Sequence, residues 1–252
     1  MGADLLDYDI SQYDRPSVAV DAVLFGVEDY KSATMEEKKL KILLIRRGEE
    51  PFKDMYSLPG GFLRKNETVE QAVERELIEE TGVKNTKLIP LKVYSSIGRD
   101  PRGWIISDAF ISLTNTVALS TLENSDAKEA VWLDFSYSAE DDTIHIADDI
   151  TISAVDGIVT ENALSFDHSQ IIYDAFKKLQ EEIQHNDILF DLMPELFTVS
   201  NLHSIYKMIL DKNETIQAFR KRMSSRIEET EFYDNTTMAH RKSKLYRVRR
   251  KE

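Results

Sequence analysis

Residues Gly61 to Val83 read GFLRKNETVEQAVERELIEETGV. Thr68 stands where a helix N-cap belongs, with Gln71 three residues on in a capping-box pattern, and Gly82 stands where a left-handed C-terminal cap belongs. The spacing therefore predicts a helix from Val69 to Thr81. At about 100° per residue, Glu76, Glu79 and Glu80 fall on one side of that helix, together with Val69, Ala72 and Val73. The three carboxylates thus share the core-facing stripe, opposite the solvated Glu70, Gln71 and Glu74. Carboxylates pressed against a protein body repel one another and lose hydration, which is costly unless cations sit between them. An oxygen-only donor set suits Mg²⁺, with Mn²⁺ as a substitute, because these hard ions take carboxylate, carbonyl and water oxygens and bridge to phosphates. The chain has no cysteine and its five histidines are scattered.

Gly61, Glu67, Arg75, Glu76, Leu77, Glu79, Glu80, Gly82 and Val83 match the pattern G-x5-E-x7-R-E-U-x-E-E-x-G-U, with U aliphatic, at every fixed position. On these residues the chain resembles the Nudix (MutT-like) pyrophosphohydrolases. That resemblance implies an α/β/α sandwich and hydrolysis of a nucleoside diphosphate linked to another group, by attack of water on one phosphorus. It implies metal binding by Glu76 and Glu80, assistance from Glu79 and the Gly61 carbonyl, and a bracing pair in Arg75 and Glu67. Bound ions would neutralise phosphate charge and lower the pKa of water. A general base is expected outside this stretch. The acidic segment LENSDAKEAVWL offers Glu123, Asp126 and Glu129, and Glu129 is preferred.

Working outward, Ser17 to Phe25 and Lys41 to Arg46 are β-rich runs, separated by a charged stretch, Glu28 to Lys39, that reads as a long hairpin loop. Val93 to Ser96, Ile105 to Leu113 and Val131 to Phe135 are further strand candidates. Between them, Gly98-Arg99-Asp100-Pro101-Arg102-Gly103-Trp104 is a turn-rich loop with two arginines and an indole. Arg99 and Arg102 can hold an anion, and Trp104 can stack on a flat ring. This loop, with RPSVAVDAVLF near the start and PF-x4-SLPGGF before Leu63, resembles a Nudix subgroup of ADP-ribose pyrophosphatases and NrtR-type regulators. ADP-ribose or a related nucleoside diphosphate derivative is the substrate this implies. Arg46 and Phe62 complete the expected substrate-binding set.

The chain's 252 residues read as two domains, 1–185 and 186–252. From Ser136 to Asp167 only short β-like pieces appear, Thr143 to Ile146 and Ile150 to Ser153 with a turn at Asp156-Gly157, and no chemistry is assigned to them. Apolar spacing then predicts a helix over His168 to Gln184; His145 and His168 read as structural or surface residues. The formal charge of −13 argues against indiscriminate binding to nucleic acid or anionic membranes. With no cysteine there are no disulfides and no thiol catalysis. No leader pattern and no run of about 18 apolar residues appears, so a soluble, cytoplasmic protein that does not enter membranes is expected.

That acidity hides a basic tail. Asn201 to Glu252 holds thirteen Lys and Arg against seven Asp and Glu, so it carries about +6 and the rest about −19. A helix after Ser200, a second after Asn213 and a β-like segment, Lys244 to Val248, resemble the winged helix-turn-helix of the NrtR-type regulators. The resemblance puts Arg220, Lys221 and Arg222 on or near a recognition helix, and Arg241, Lys242 and Lys244 near the wing, for contact with operator DNA. His240-Arg241-Lys242-Ser243 replaces the Gly-Arg-Pro entry of those regulators. Dimer contacts, or binding to the acidic body, are the other uses of such a module. Two functions follow: a Mg²⁺-dependent hydrolase, or a transcription regulator that senses a metabolite. Resemblance to both groups implies a homodimer.

Overall fold

In the computed structural model, residues 9–31, 36–117, 127–234 and 242–249 are described. The β-branched run after Ser17 opens a long strand, β1 (Ser17–Lys31), which pairs antiparallel with β2 (Glu36–Arg47). The charged stretch expected as a long loop is therefore mostly strand. Glu28 faces Lys39 and Asp29 faces Lys38 across the ladder. Lys38 bonds Asp29, and Lys41 Nζ lies 2.9 Å from Glu28. Opposite charges on neighbouring strands stabilise a ladder that the local polarity of either strand would not suggest.

After β3 (Tyr56–Ser57) and β4 (Gly60–Phe62) comes α1 (Val69–Thr81), and then β5 (Leu88–Tyr94), β6 (Ile105–Thr114) and β7 (Ala127–Ser138). The meander β8 (Thr143–Ile146), β9 (Ile150–Val155) and β10 (Ile158–Val159) follows. These strands form a ten-stranded sheet in the order β10-β9-β8-β7-β2-β1-β6-β5, with β3 on β2 and β4 on β1. β1 and β6 run parallel. Helix α1 covers one face: Ala72, Val73 and Leu77 pack with Val20, Ala22, Leu24, Leu43 and Phe110. The other face is covered by α2 (His168–His185), whose Ile171, Ile172, Ala175, Phe176, Leu179 and Ile183 are buried at helical spacing. At the centre of that face Phe176 meets Phe135 at 4.9 Å and Phe25 at 6.1 Å between ring centroids. The architecture is an α/β/α sandwich.

The C-terminal module is a winged helix. It consists of α3 (Val199–Leu210), α4 (Ile216–Met223) and the hairpin β11 (Ile227–Tyr233) with β12 (Lys244–Val248). Thr198 and Thr215 cap the two helices through their side-chain oxygens. Strand β11 is not legible in the sequence. Its stretch IEETEFY carries three glutamates and buries only Ile227; what holds it is pairing with β12, where Glu228 bonds Arg247 at 2.6 Å and Glu229 accepts from the Tyr246 hydroxyl at 2.9 Å. Leu202, Ile205, Ile209, Phe219 and Tyr246 belong to the same apolar cluster as Phe25 and Phe176, so the sheet and the winged helix share one continuous core. Phe219→Ala should cost about 3–5 kcal/mol. Denaturant unfolding should show this as one transition moved to a lower midpoint; a separate early transition would refute a shared core. Among the described residues no helix is long and apolar enough to cross a membrane.

Candidate active site

Helix α1 forms as the spacing predicts. The Gln71 N–H donates to Thr68 Oγ1 at 3.3 Å, the Thr68 N–H donates to Gln71 Oε1 at 2.9 Å, and Gly82 takes φ 73°. Its packed face leaves Glu76, Glu79 and Glu80 at the edge of a cleft of about 660 Å³. β4 runs alongside. A Cβ on Gly61 would sit 2.3 Å from Glu76 Oε1, and one on Gly60 would sit 2.2 Å from the Val20 carbonyl; only glycine lets these strands and the glutamates approach so closely.

Arg75 braces the arrangement. It donates to Glu67 at 3.0 and 2.7 Å, to the Phe62 carbonyl at 3.2 Å, to Glu76 at 2.6 Å and to Glu79 at 3.2 Å. These bonds, with the Arg64 N–H, hold the Glu67 carboxyl down to about 2. The folded pKa lies below the ordinary 4.5, so this contribution to stability is present above pH 4.5 and is lost as pH falls towards 2. In Glu67→Gln that part of the acid-side decline should be absent from a series of thermal melts. An unchanged decline would deny Glu67 its bracing role.

Glu80 is opposite in character. It opens to the cleft but is otherwise enclosed by protein, and burial first, then the neighbouring charges of Glu76 and Asp21, push its carboxyl up to about 8. The Gly60 N–H, which donates to it at 2.9 Å, and Arg47 offset this only in part. An under-compensated carboxylate beside Glu76 and Asp21 fits a divalent cation. Among the described residues no three His, Asp or Glu side chains converge as a finished coordination set. Glu79 is drawn towards Arg64, at 3.2 and 3.0 Å, and Arg75.

Across the cleft, the expected residues divide. Phe62, Arg99 and Arg102 line it. Arg99 is 4% exposed and grips Asp167 at 2.9 and 2.6 Å, so its charge is answered and it fixes the loop to the start of α2. Arg102 grips Asp100 in the same forked manner and lies 5.1 Å from the Phe62 ring. Arg46 does not line the cleft; it is exposed, and it is Arg47 that lines it. Strand alternation separates the two, and the β2–β7 register slips between them. Glu129, facing Arg46 across that ladder, is likewise exposed and outside the cleft. Glu123 and Asp126 lie outside the described residues. Trp104 is 59% exposed and is not among the lining residues.

Asp21, Phe166 and His168 line the cleft too, and the sequence offered no functional reading of them. Ser107 Oγ donates to Asp21 at 2.5 Å. His168 is buried, which lowers its pKa. Its Nδ1 accepts from the Leu58 N–H at 2.8 Å, so a neutral imidazole holds the Leu58-Pro59-Gly60 turn, a structural role as expected. His145 is exposed.

On the winged helix, Gln217, Arg220 and Lys221 of α4, with its C-cap Ser224, form an exposed stripe opposite the buried Phe219 and Met223. Arg222 is committed elsewhere, bonding Glu214 at 2.5 Å and lying 4.3 Å from the Tyr206 ring. Lys242 is exposed, Lys244 lies 4.4 Å from the Tyr233 ring, and Arg241 is outside the described residues.

Fold and site define a Nudix-type cleft coupled to a winged helix-turn-helix, and comparison with known proteins agrees. Residues 31–149 match the NUDIX domain family, and residues 189–248 match the NrtR DNA-binding winged helix domain. Over 97% of its length the chain is 30% identical to the "ADPR responsive transcriptional repressor NtrR" of Acinetobacter baylyi, covering 87% of that protein. It is 44% identical to an ADP-ribose pyrophosphatase of Methanocaldococcus jannaschii over 49% of this chain and 65% of that one. Among solved structures it resembles Shewanella oneidensis NrtR complexed with a 27mer DNA, with a TM-score of 0.65, 25% identity and coverage of 92% of this chain and 93% of that one. The chain belongs to the Nudix family, in the group that joins an ADP-ribose pyrophosphatase-like Nudix domain to an NrtR-type DNA-binding domain.

Proposed function

We propose that this protein is a Mg²⁺-dependent Nudix hydrolase that cleaves the pyrophosphate of ADP-ribose or a related nucleoside diphosphate derivative. The observation that carries the reading is that Glu76, Glu79 and Glu80 line one cleft together with Arg47, Arg99 and Arg102, with the Glu80 carboxyl enclosed beside Glu76 and Asp21. Glu76, Glu79, Glu80 and the Gly61 carbonyl would hold the ion. When bound, a divalent metal neutralises phosphate charge and lowers the pKa of water. The chain's own residues do the positioning. Arg75 and Glu67 keep the loop-helix unit in shape, and the Gly60 N–H holds one oxygen of Glu80. Arg47 donates to the carbonyls of Pro51 and Glu49 and lies 4.9 Å from the Phe166 ring, with no carboxylate bonded to it among these contacts, so its charge is available for phosphate oxygens. With Mg²⁺, the purified protein should turn ADP-ribose into AMP and ribose 5-phosphate. No cleavage across a panel of nucleotide pyrophosphates would sink the reading.

A second role is favoured by the exposed stripe on α4 and by the full-length similarity to a repressor. In it the module 186–252 binds operator DNA, the domain 1–185 binds the nucleotide, and the chain acts as a cytoplasmic homodimer. The continuous core between the two supports their acting together. Binding to its own upstream DNA should weaken steeply with salt and change when ADP-ribose is added. Absence of any such binding would exclude this role, and a monomer by light scattering would exclude the dimer.

A further inference from the structure

We infer that His168 is a positioning residue for the glutamate site, acting through the Leu58-Pro59-Gly60 turn to set the Gly60 N–H and the Gly61 carbonyl beside Glu80. This rests on the reading that Glu80 and the Gly61 carbonyl hold the ion. His168 is the first residue of α2, yet it is only 4% exposed. A polar ring buried so completely is kept where its hydrogen bonds are made, since burying it without partners is costly. Its Nδ1 accepts from the N–H of Leu58, 110 residues earlier in the chain, and its Nε2 lies 3.5 Å from Asp21 Oδ1. With one nitrogen accepting, the proton of the neutral ring sits on the other and faces Asp21. Asp21 is fixed in turn by the Ser107 hydroxyl.

The turn has two backbone donors, because Pro59 has none. The Leu58 N–H is anchored on α2, and the Gly60 N–H is left to hold the Glu80 carboxylate at 2.9 Å. Between them the Pro59 carbonyl accepts from the Ala22 N–H at 2.9 Å. Gly60 stands opposite Asp21 in the β1–β4 ladder, and a Cβ there would meet Asp21 Oδ1 at 2.9 Å, so the turn lies directly on the carboxylate that faces the imidazole. An apolar residue at position 168 would fill the same buried space but leave the Leu58 N–H without a partner, at a cost the turn could relieve only by moving. A shift of about 1 Å at Gly60 would carry the Glu80 contact and the Gly61 carbonyl with it, and misplacement of that size costs about a hundredfold in rate.

Steady-state kinetics of the full chain with ADP-ribose and Mg²⁺ separates positioning from packing through two variants. His168→Leu fills the buried space and removes the acceptor, whereas His168→Asn fills it less well but places an amide oxygen near the position of Nδ1. The leucine variant should lose about 10–100-fold in kcat, the effect of removing an outer partner of a metal site, with KM within about twofold. Asparagine should recover most of that loss. Packing alone would reverse the order, and a leucine variant as active as the asparagine variant, or more so, would overturn the inference. Two readouts need no turnover. Mg²⁺ should raise the melting temperature of the wild type and the asparagine variant and raise that of the leucine variant much less; equal rises in all three would also overturn it. The ¹⁵N spectrum of histidine-labelled wild type near neutral pH should show His168 with its proton on Nε2, and a proton on Nδ1 would refute the bond whatever the variants do. A wild type that is stabilised by Mg²⁺ but cleaves no nucleotide pyrophosphate would sink the hydrolase reading alone and leave the melting comparison to decide on His168. One that neither cleaves nor responds to Mg²⁺ would take both readings down.

Discussion

Glu80→Gln is expected to lower hydrolysis of ADP-ribose by more than about a hundredfold, since even partners outside the metal's own ligands cost 10–100-fold when removed. The same change should make the metal-free protein more stable above neutral pH. The sign follows from the raised carboxyl. Its folded pKa, about 8, exceeds the ordinary 4.5, so the folded chain holds the proton more tightly than the unfolded one. That contribution to stability is complete below pH 4.5 and drains away as pH rises through 8. Glutamine keeps the shape and an oxygen to accept from the Gly60 N–H, but it never ionises. Melting temperatures of variant and wild type should therefore agree near pH 4.5 and diverge, in favour of the variant, up to about pH 8 to 9. Adding Mg²⁺ should raise the wild type and leave the variant nearly unmoved. A variant less stable than the wild type at pH 8.5 without metal would contradict this account of Glu80.

Replacing both Arg220 and Lys221 by alanine should nearly abolish binding to operator DNA at physiological salt. Each phosphate left without its cationic partner should reduce the slope of log affinity against log salt by about 0.9, so the double variant should be shallower by close to two units of slope. Because both side chains are exposed and face away from Phe219 and Met223, the melting temperature should change little. Arg222→Ala is the informative contrast. Its guanidinium is held by Glu214 and lies over Tyr206, so its removal should lower stability while leaving the salt slope close to that of the wild type. If Arg222→Ala removed as much slope as Arg220→Ala, the face that meets DNA would be different from the exposed stripe.

Comparison of sequence with structure shows which kinds of information are local. The capped helix Val69–Thr81 was legible because its signals, Thr68, Gln71 and Gly82, act within a turn or two of themselves. The spacing of Arg75, Glu76, Glu79 and Glu80 needed only helical periodicity. Helices α2, α3 and α4 were legible for the same reason. The apolar inner halves of β1 and β2 were legible too, but their charged extension, Glu28 to Lys31 with Glu36 to Lys39, was not, because Lys38 and Asp29 or Lys41 and Glu28 stabilise each other only once the strands face one another. Strand β11 was hidden for the same cause, its glutamates being answered from β12.

Within the site, the choice between Arg46 and Arg47 depended on a register slip against β7 that no stretch of β2 announces. Arg99 looked like a free anion ligand until Asp167, 68 residues away, was folded against it. Trp104 is the more conspicuous aromatic in the sequence, yet Phe166 is the one that reaches the cleft. Local sequence was enough to give the capped helix α1, its carboxylates and the basic module, because turns, caps and periodicity are properties of neighbouring residues. Only the tertiary structure decided which arginine, which aromatic ring and which further carboxylate join them. Asp21, Arg47, Phe166 and His168 converge on one cleft through the parallel pairing of β1 with β6, the ladder of β2 and the docking of α2, and long-range packing of that kind leaves no mark in the adjacent sequence.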